Sequence, residues 1–127
     1  MFILWCKNTK FIAFNTLKAS TADNPFLGIE KSGITEVKFV VDKTAVRDAN
    51  SINVAAQGDG SIWANVSNGK VTIYSNDEIN ANVNSSYLFA NLDAVITNLD
   101  ALNTNNVTNM SHMFEEYGNS RVTNLSL

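Results

Sequence analysis

The feature that most constrains the fold is an internal repeat in the last third of the chain. Residues 96–100 read ITNLD and residues 122–126 read VTNLS, an offset of 26. Residues 80–89 and 105–114 share Asn, Ser and Phe at matching positions, with an offset of 25. A related segment, VTNMS, occupies residues 107–111. A period of about 25 residues is the length of one leucine-rich-type coil, so we expect this region to begin a solenoid.

The repeat predicts a structural role for the high asparagine content. Asn accounts for 19 of the 127 residues, and 12 of these lie within residues 76–124. In the repeat alignment Asn80 matches Asn105. Short amide side chains readily hydrogen-bond the backbone groups that turns leave unpaired. We therefore expect Asn side chains to line the turns of successive coils, while apolar side chains such as Ile96 and Leu99 point inward.

Residues 33–80 predict a small antiparallel β-module. Residues 61–67 and 70–75 are rich in β-forming side chains and flank the dipeptide Asn68-Gly69. Asn-Gly tolerates the positive φ angles of a type I′ turn, whose twist matches that of the flanking strands. The pattern therefore predicts a β-hairpin at this position.

Two aromatic residues of the predicted hairpin are candidate binding residues. Trp63 and Tyr74 fall close to each other across its two strands. Aromatic residues dominate the energetics of many binding surfaces. Cross-strand aromatic pairs also simply stabilise a sheet. The sequence favours this structural role for the pair.

Composition excludes several classes of function. One Cys cannot form a disulfide within the chain, and one Cys with one His cannot supply a zinc site. Nine basic against 12 acidic residues argue against nucleic-acid binding. His112 and the acidic pair Glu115-Glu116 have no catalytic motif around them, and a structural, solvated role is expected for both. We expect no catalytic residue, no metal and no cofactor.

A longer motif resembles a known family. Residues 103–114, NTNNVTNMSHMF, resemble the repeats of BspA-like bacterial surface proteins, which read approximately N-F-D-T-S-N-V-T-N-M-S-x-M-F. Residues 85–89 (SSYLF) fit the same repeat. Upstream, residues 55–62 (AAQGDGSI) and 71–75 (VTIYS) look like the β-rich segment before the first repeat in that family. The resemblance covers residues 21–127.

The resemblance implies a mainly β fold with short helices (α+β), in which an antiparallel β cap module leads into the first coil of a leucine-rich-type solenoid. Residues 1–80 would form the cap, and residues 81–127 about one and a half repeats, together one structural unit. The structural residues of the repeat motif would be Ser86, Phe89, Ile96, Asn98, Leu99, Leu102, Val107, Asn109, Met110, Met113, Phe114 and Leu125.

The resemblance also implies a function. The family suggests a non-enzymatic surface-type repeat protein, exported or at the cell surface, that takes part in adhesion or in binding a host or cell-surface protein or glycan. We expect no membrane span, and no export signal is visible in the chain. Two alternatives stay open. In the first alternative, the chain is a truncated fragment without independent function, because it ends at Leu127 within an expected strand. In the second, it is a small enzyme with an unrecognised site.

Overall fold

The computed structural model describes residues 15–20 and 25–118, and this part of the chain is mainly β, as the sequence predicts. Its strands are β1 (Glu36–Val41), β2 (Ile52–Asn53), β3 (Ile62–Ser67), β4 (Lys70–Ser75), β5 (Ile79–Asn80), β6 (Val95–Thr97) and β7 (Leu102–Asn103). A short 3-10 helix, Leu99–Ala101, lies between β6 and β7.

The hairpin predicted at Asn68-Gly69 is present. Strands β3 and β4 are antiparallel, and Ser67 pairs with Lys70 across the two-residue turn. Asn68 and Gly69 have φ angles of 50° and 80°, as a type I′ turn requires. A Cβ atom on Gly69 would lie 2.5 Å from the carbonyl oxygen of Gly33, so the close approach of the chain also requires glycine here.

The remaining sheet differs from the predicted antiparallel module, because β1 pairs in parallel on both sides. The five-stranded sheet has the order β2-β3-β4-β1-β6, and β1 runs parallel to β4 and to β6. The backbone N–H of Thr35 donates to the carbonyl of Gly69 at 2.8 Å, which sets the start of β1 beside the start of β4. The antiparallel cap is therefore not confirmed; the sheet is mixed.

A cluster of phenylalanine rings forms the centre of the core. Phe89 is fully buried, and its ring centroid lies 6.0 Å from that of Phe26 and 6.3 Å from that of Phe39. Phe114 stacks on Phe89 at 5.2 Å. Since Phe39 belongs to β1 and Phe89 to the repeat region, the β-rich segment and the repeat share one hydrophobic core.

Strand β5 lies between β7 of the repeat region and the first described residues of the chain. Strand β5 pairs in parallel with β7, and Asn80 also bridges to Thr16 in parallel. The N–H of Asn80 donates to Asn15, and Leu17 donates to Asn80, at 2.7 and 2.8 Å. β5 is thereby enclosed between two parallel neighbours, which satisfies its backbone groups on both sides.

The structural register of the repeat differs in one place from the sequence alignment. Asn80 pairs with Asn103, an offset of 23, instead of with Asn105. At the bridge between Asn84 and Asn109 the offset is 25. Two extra residues therefore lie in the loop that follows β7. Asn103 donates from Nδ2 to Oδ1 of Asn80 at 3.0 Å, which fixes the observed pairing of these two amides.

We expect Gly69→Ala to destabilise the fold more than Gly58→Ala. Both glycines have positive φ, and a Cβ at Gly58 meets nothing within 4 Å, whereas one at Gly69 collides with the backbone. Positive φ alone costs an alanine roughly 1–2 kcal/mol, so Gly58→Ala should cost about that much and Gly69→Ala clearly more. Urea denaturation followed by circular dichroism measures both, and equal losses would contradict the close packing of the hairpin turn on Gly33.

Candidate functional site

The repeated segments lie directly on one another. Residues 84–91 form a first turn segment and residues 109–116 a second. The N–H groups of Ser85, Tyr87, Phe89 and Asn91 donate to the carbonyls of Asn109, Ser111, Met113 and Glu115 at 2.8, 3.2, 2.9 and 2.8 Å. Alternate residues donate, as in a parallel strand pair. The two copies of the repeat therefore contact each other through a continuous row of backbone hydrogen bonds.

Each turn segment starts with the same asparagine–serine arrangement. Oδ1 of Asn84 accepts from the N–H and the hydroxyl of Ser86, at 3.1 and 2.7 Å. Oδ1 of Asn109 accepts from the same groups of Ser111, at 2.9 and 2.7 Å. These bonds confirm that asparagine side chains satisfy backbone donors in the turns of the repeat.

Aromatic rings also stack between the two segments. The rings of Tyr87 and His112 lie 4.8 Å apart and 7° from parallel, next to the Phe89–Phe114 pair. Both residues adopt positive φ, 62° and 57°. His112 Nδ1 lies 2.8 Å from Oε1 of Glu115. The histidine side chain is half exposed and contacts both Tyr87 and Glu115.

The predicted motif residues divide into a buried and a solvent-facing set. Buried are Ser86, Phe89, Leu102 and Met113; half-buried are Ile96, Leu99, Val107 and Phe114; exposed are Asn98, Asn109 and Met110. Leu125 lies outside the described residues. The structure brings Leu99, Leu102, Met110, Met113 and Phe114 together around an apolar groove of about 280 Å³, which we call the coil-end groove.

Two motif residues connect the repeat to the sheet. Ile96 lies in β6 opposite Val37 of β1. Asn98 follows with a φ of 60° and donates from Nδ2 to the carbonyl of Phe39 at 3.3 Å. A conformation with positive φ is easiest for Gly and Asn, so the residue type suits both the backbone angle and the bond to β1.

Trp63 and Tyr74 are direct partners in the hairpin. They are paired across β3 and β4, and their rings stack at 5.7 Å. Trp63 is only 3% exposed. Its indole nitrogen is buried and bonds no described residue.

Two adjoining cavities border this tryptophan. They have volumes of about 390 and 400 Å³ and share the lining residues Val46, Arg47 and Trp63. We call them together the Trp63 groove. Asp48 lines the first cavity and Asp59 the second. The sequence does not indicate that Arg47, Asp48 and Asp59 meet here, because these residues come from separate loops with no motif that links them.

Local hydrogen bonds hold the walls of the Trp63 groove. Ser51 donates from Oγ to Oδ1 of Asn65 at 2.7 Å, and Asn53 accepts through Oδ1 from the N–H of Gly60 at 2.8 Å. Hydrogen bonds from Ser61, its backbone N–H first, lower the pKa of Asp59, and the positive charge of Arg47 contributes in the same direction. Asp59 is therefore an anion near neutral pH.

The described residues offer no other obvious chemical centre. Within residues 15–20 and 25–118, no cluster of three or more His, Cys, Asp or Glu residues could hold a metal ion. In the same part of the chain, no helix has the length and apolar character needed to cross a membrane. No family model, curated protein or solved structure matches the chain.

We expect Asn109→Ala to lower the free energy of unfolding by about 1 kcal/mol, because it removes the acceptor of two hydrogen bonds. Asn106→Ala is the matched control, since Asn106 is exposed in the loop before it and accepts no hydrogen bond from a described residue. Surface changes of that kind usually stay within about 0.5 kcal/mol. Thermal and urea unfolding compare the two, and indistinguishable variants would contradict a structural role for the turn asparagine.

We also expect stability to fall above about pH 10 through Tyr117. Its hydroxyl donates to the carbonyl of Ala94 at 2.7 Å, and burial raises its pKa above the ordinary value. The folded state therefore disfavours the phenolate. The contribution of Tyr117 to the free energy of unfolding is complete below the pKa that this tyrosine has in the unfolded chain, and it is lost as the pH rises through the pKa of the tyrosine in the folded state. Urea denaturation between pH 8 and 11 measures the loss, and Tyr117→Phe should reduce it. If the free energy of unfolding of the variant falls with pH as steeply as that of the original chain, the loss belongs to other groups.

Proposed function

We propose that the protein is a non-enzymatic repeat protein of the cell-surface type, which acts by binding a protein or glycan partner. One observation carries the proposal. The two turn segments at the 25-residue offset lie in register, with the same asparagine–serine bonds in each and with stacked rings between them. Repeats of this kind build extended surfaces for binding. The motif resemblance to BspA-like surface proteins supports the same assignment.

The architecture within this proposal is a solenoid of which the described residues contain two successive turns. The coil-end groove supports it, because an apolar surface of this kind is what the next coil of a repeat covers. Parallel pairing of β5 with β7, and of Asn84 with Asn109, is also the connection expected between successive coils.

The proposal gives the protein no catalytic role. His112 is the only histidine of the chain, and its ring contacts are explained by stacking on Tyr87 and by its bond to Glu115. Three loop carboxylates accept local backbone bonds: Asp42 from Thr44, Asp48 from Asn50 and Asp59 from Ser61. Arrangements of this kind support turn structure and do not activate a nucleophile.

Labelling of intact source cells with a membrane-impermeant amine reagent tests the proposed location. Exposed lysines such as Lys43 and Lys70 should react before lysis, whereas a cytoplasmic marker protein should react only afterwards. Reaction of this protein only after lysis would contradict the surface assignment. Beads coated with the purified chain should then adhere to target cells, and prior treatment of those cells with protease or with periodate should identify the partner as protein or glycan. Bead retention equal to that of albumin-coated beads would contradict the binding role.

A further inference from the structure

Charged side chains from two separate loops meet at the Trp63 groove. Arg47 is exposed, and its guanidinium forms no hydrogen bond or ion pair with any described residue. A Cβ atom on Gly60 would collide with that guanidinium, so the absence of a side chain at Gly60 makes room for it. An arginine lying against a cavity wall presents up to five donors to a bound molecule.

The groove also presents acceptors. Asp48 uses Oδ1 to accept from Asn50 and Ser51, and Asp59 uses Oδ1 to accept from Ser61. Both carboxylates lie on exposed loops, so each keeps lone pairs available to a ligand. The two carboxylates repel an anionic ligand, and the guanidinium repels a cationic one. A molecule with several hydroxyl groups, each both donor and acceptor, matches the arrangement.

The indole of Trp63 adds a further donor. Its buried N–H has no partner among the described residues, and an unpaired buried donor costs about 1–3 kcal/mol. A ligand oxygen that reaches this nitrogen recovers that cost. Because the nitrogen is covered in this conformation, a neighbouring side chain must move before a ligand oxygen can reach it. The cavities, at about 390 and 400 Å³, are in the size range of small-molecule sites.

We propose that the Trp63 groove is a binding site for a neutral saccharide, with Arg47 as donor and Asp48 and Asp59 as acceptors. The inference deepens the proposed binding function and rests on it, because it names the ligand class of one site on this chain. The walls are preorganised by the bonds of Ser51 and Asn53, so little ordering of the backbone opposes binding.

Tryptophan fluorescence provides the test. The chain has two tryptophans, so in a Trp5→Phe background Trp63 is the only indole. The probes are the methyl glycosides of glucose, galactose, mannose and N-acetylglucosamine, with N-acetylneuraminic acid as the anionic probe. We expect a saturable change in emission with at least one neutral probe, at a dissociation constant on the order of 1 mM.

Variants then assign the residues. Arg47→Gln and Asp59→Asn should each weaken binding about tenfold, because each removes a charge-assisted hydrogen bond. Lys43→Gln is the matched control: it removes the same charge from the same loop, outside the lining of the groove, and should leave binding unchanged. Circular dichroism is used to check that each variant is folded. An equal loss in Lys43→Gln would assign the effect to net charge and overturn the site.

Two further results would overturn the inference: no emission change with any neutral glycoside, or tighter binding of the anionic probe. The labelling of intact cells is read independently. Surface labelling without saccharide binding rejects this inference alone, whereas saccharide binding by a protein labelled only after lysis rejects the proposed location.

Discussion

The fold depends on the burial of one aromatic ring. Phe89 has no exposed surface and contacts Phe26 from the segment before β1, Phe39 from the central strand β1 and Phe114 from the second turn segment. A repeat turn of this length cannot bury its own apolar side chains. Contact with the sheet on one side and with the next turn on the other provides the missing cover. The mixed sheet therefore forms one core with the first repeat.

Backbone hydrogen bonding is the second requirement, and asparagine meets much of it. The turn segments have irregular backbone, with positive φ at Tyr87, Asn91, His112 and Glu116. Such segments leave donors that must find partners when they are buried. Four of the eight N–H groups of residues 84–91 donate to the second segment, and Asn84 and Asn109 accept from N–H groups within their own turns. The asparagine excess is thus connected to the way the segments lie on one another.

The Trp63 groove is lined by loops of the β-rich segment and not by the turn segments of the repeat. The sheet places Trp63 beside two polar loops, one around Arg47 and Asp48 and the other around Asp59. The repeat region contributes none of the residues that line it. If both proposals hold, the protein combines an extendable repeat surface with a separate small-molecule site on its β-rich segment, and each can be changed without altering the other.

The sequence by itself determined the local elements. Asn68-Gly69 specifies the hairpin and the Asn-x-Ser pattern specifies the bonds inside each turn segment, because both depend on neighbours close in the chain. The 25-residue offset specifies which turn segments correspond, because the same residue types recur at that period. Only the tertiary structure decided the parallel pairing of β1 with β4 and β6, the pairing of Asn80 with Asn103 in place of Asn105, and the meeting of Arg47 with Asp59 and Trp63. These features depend on segments far apart in the sequence, whose register is set by core packing and by loop length, and neither leaves a periodic signal in the chain.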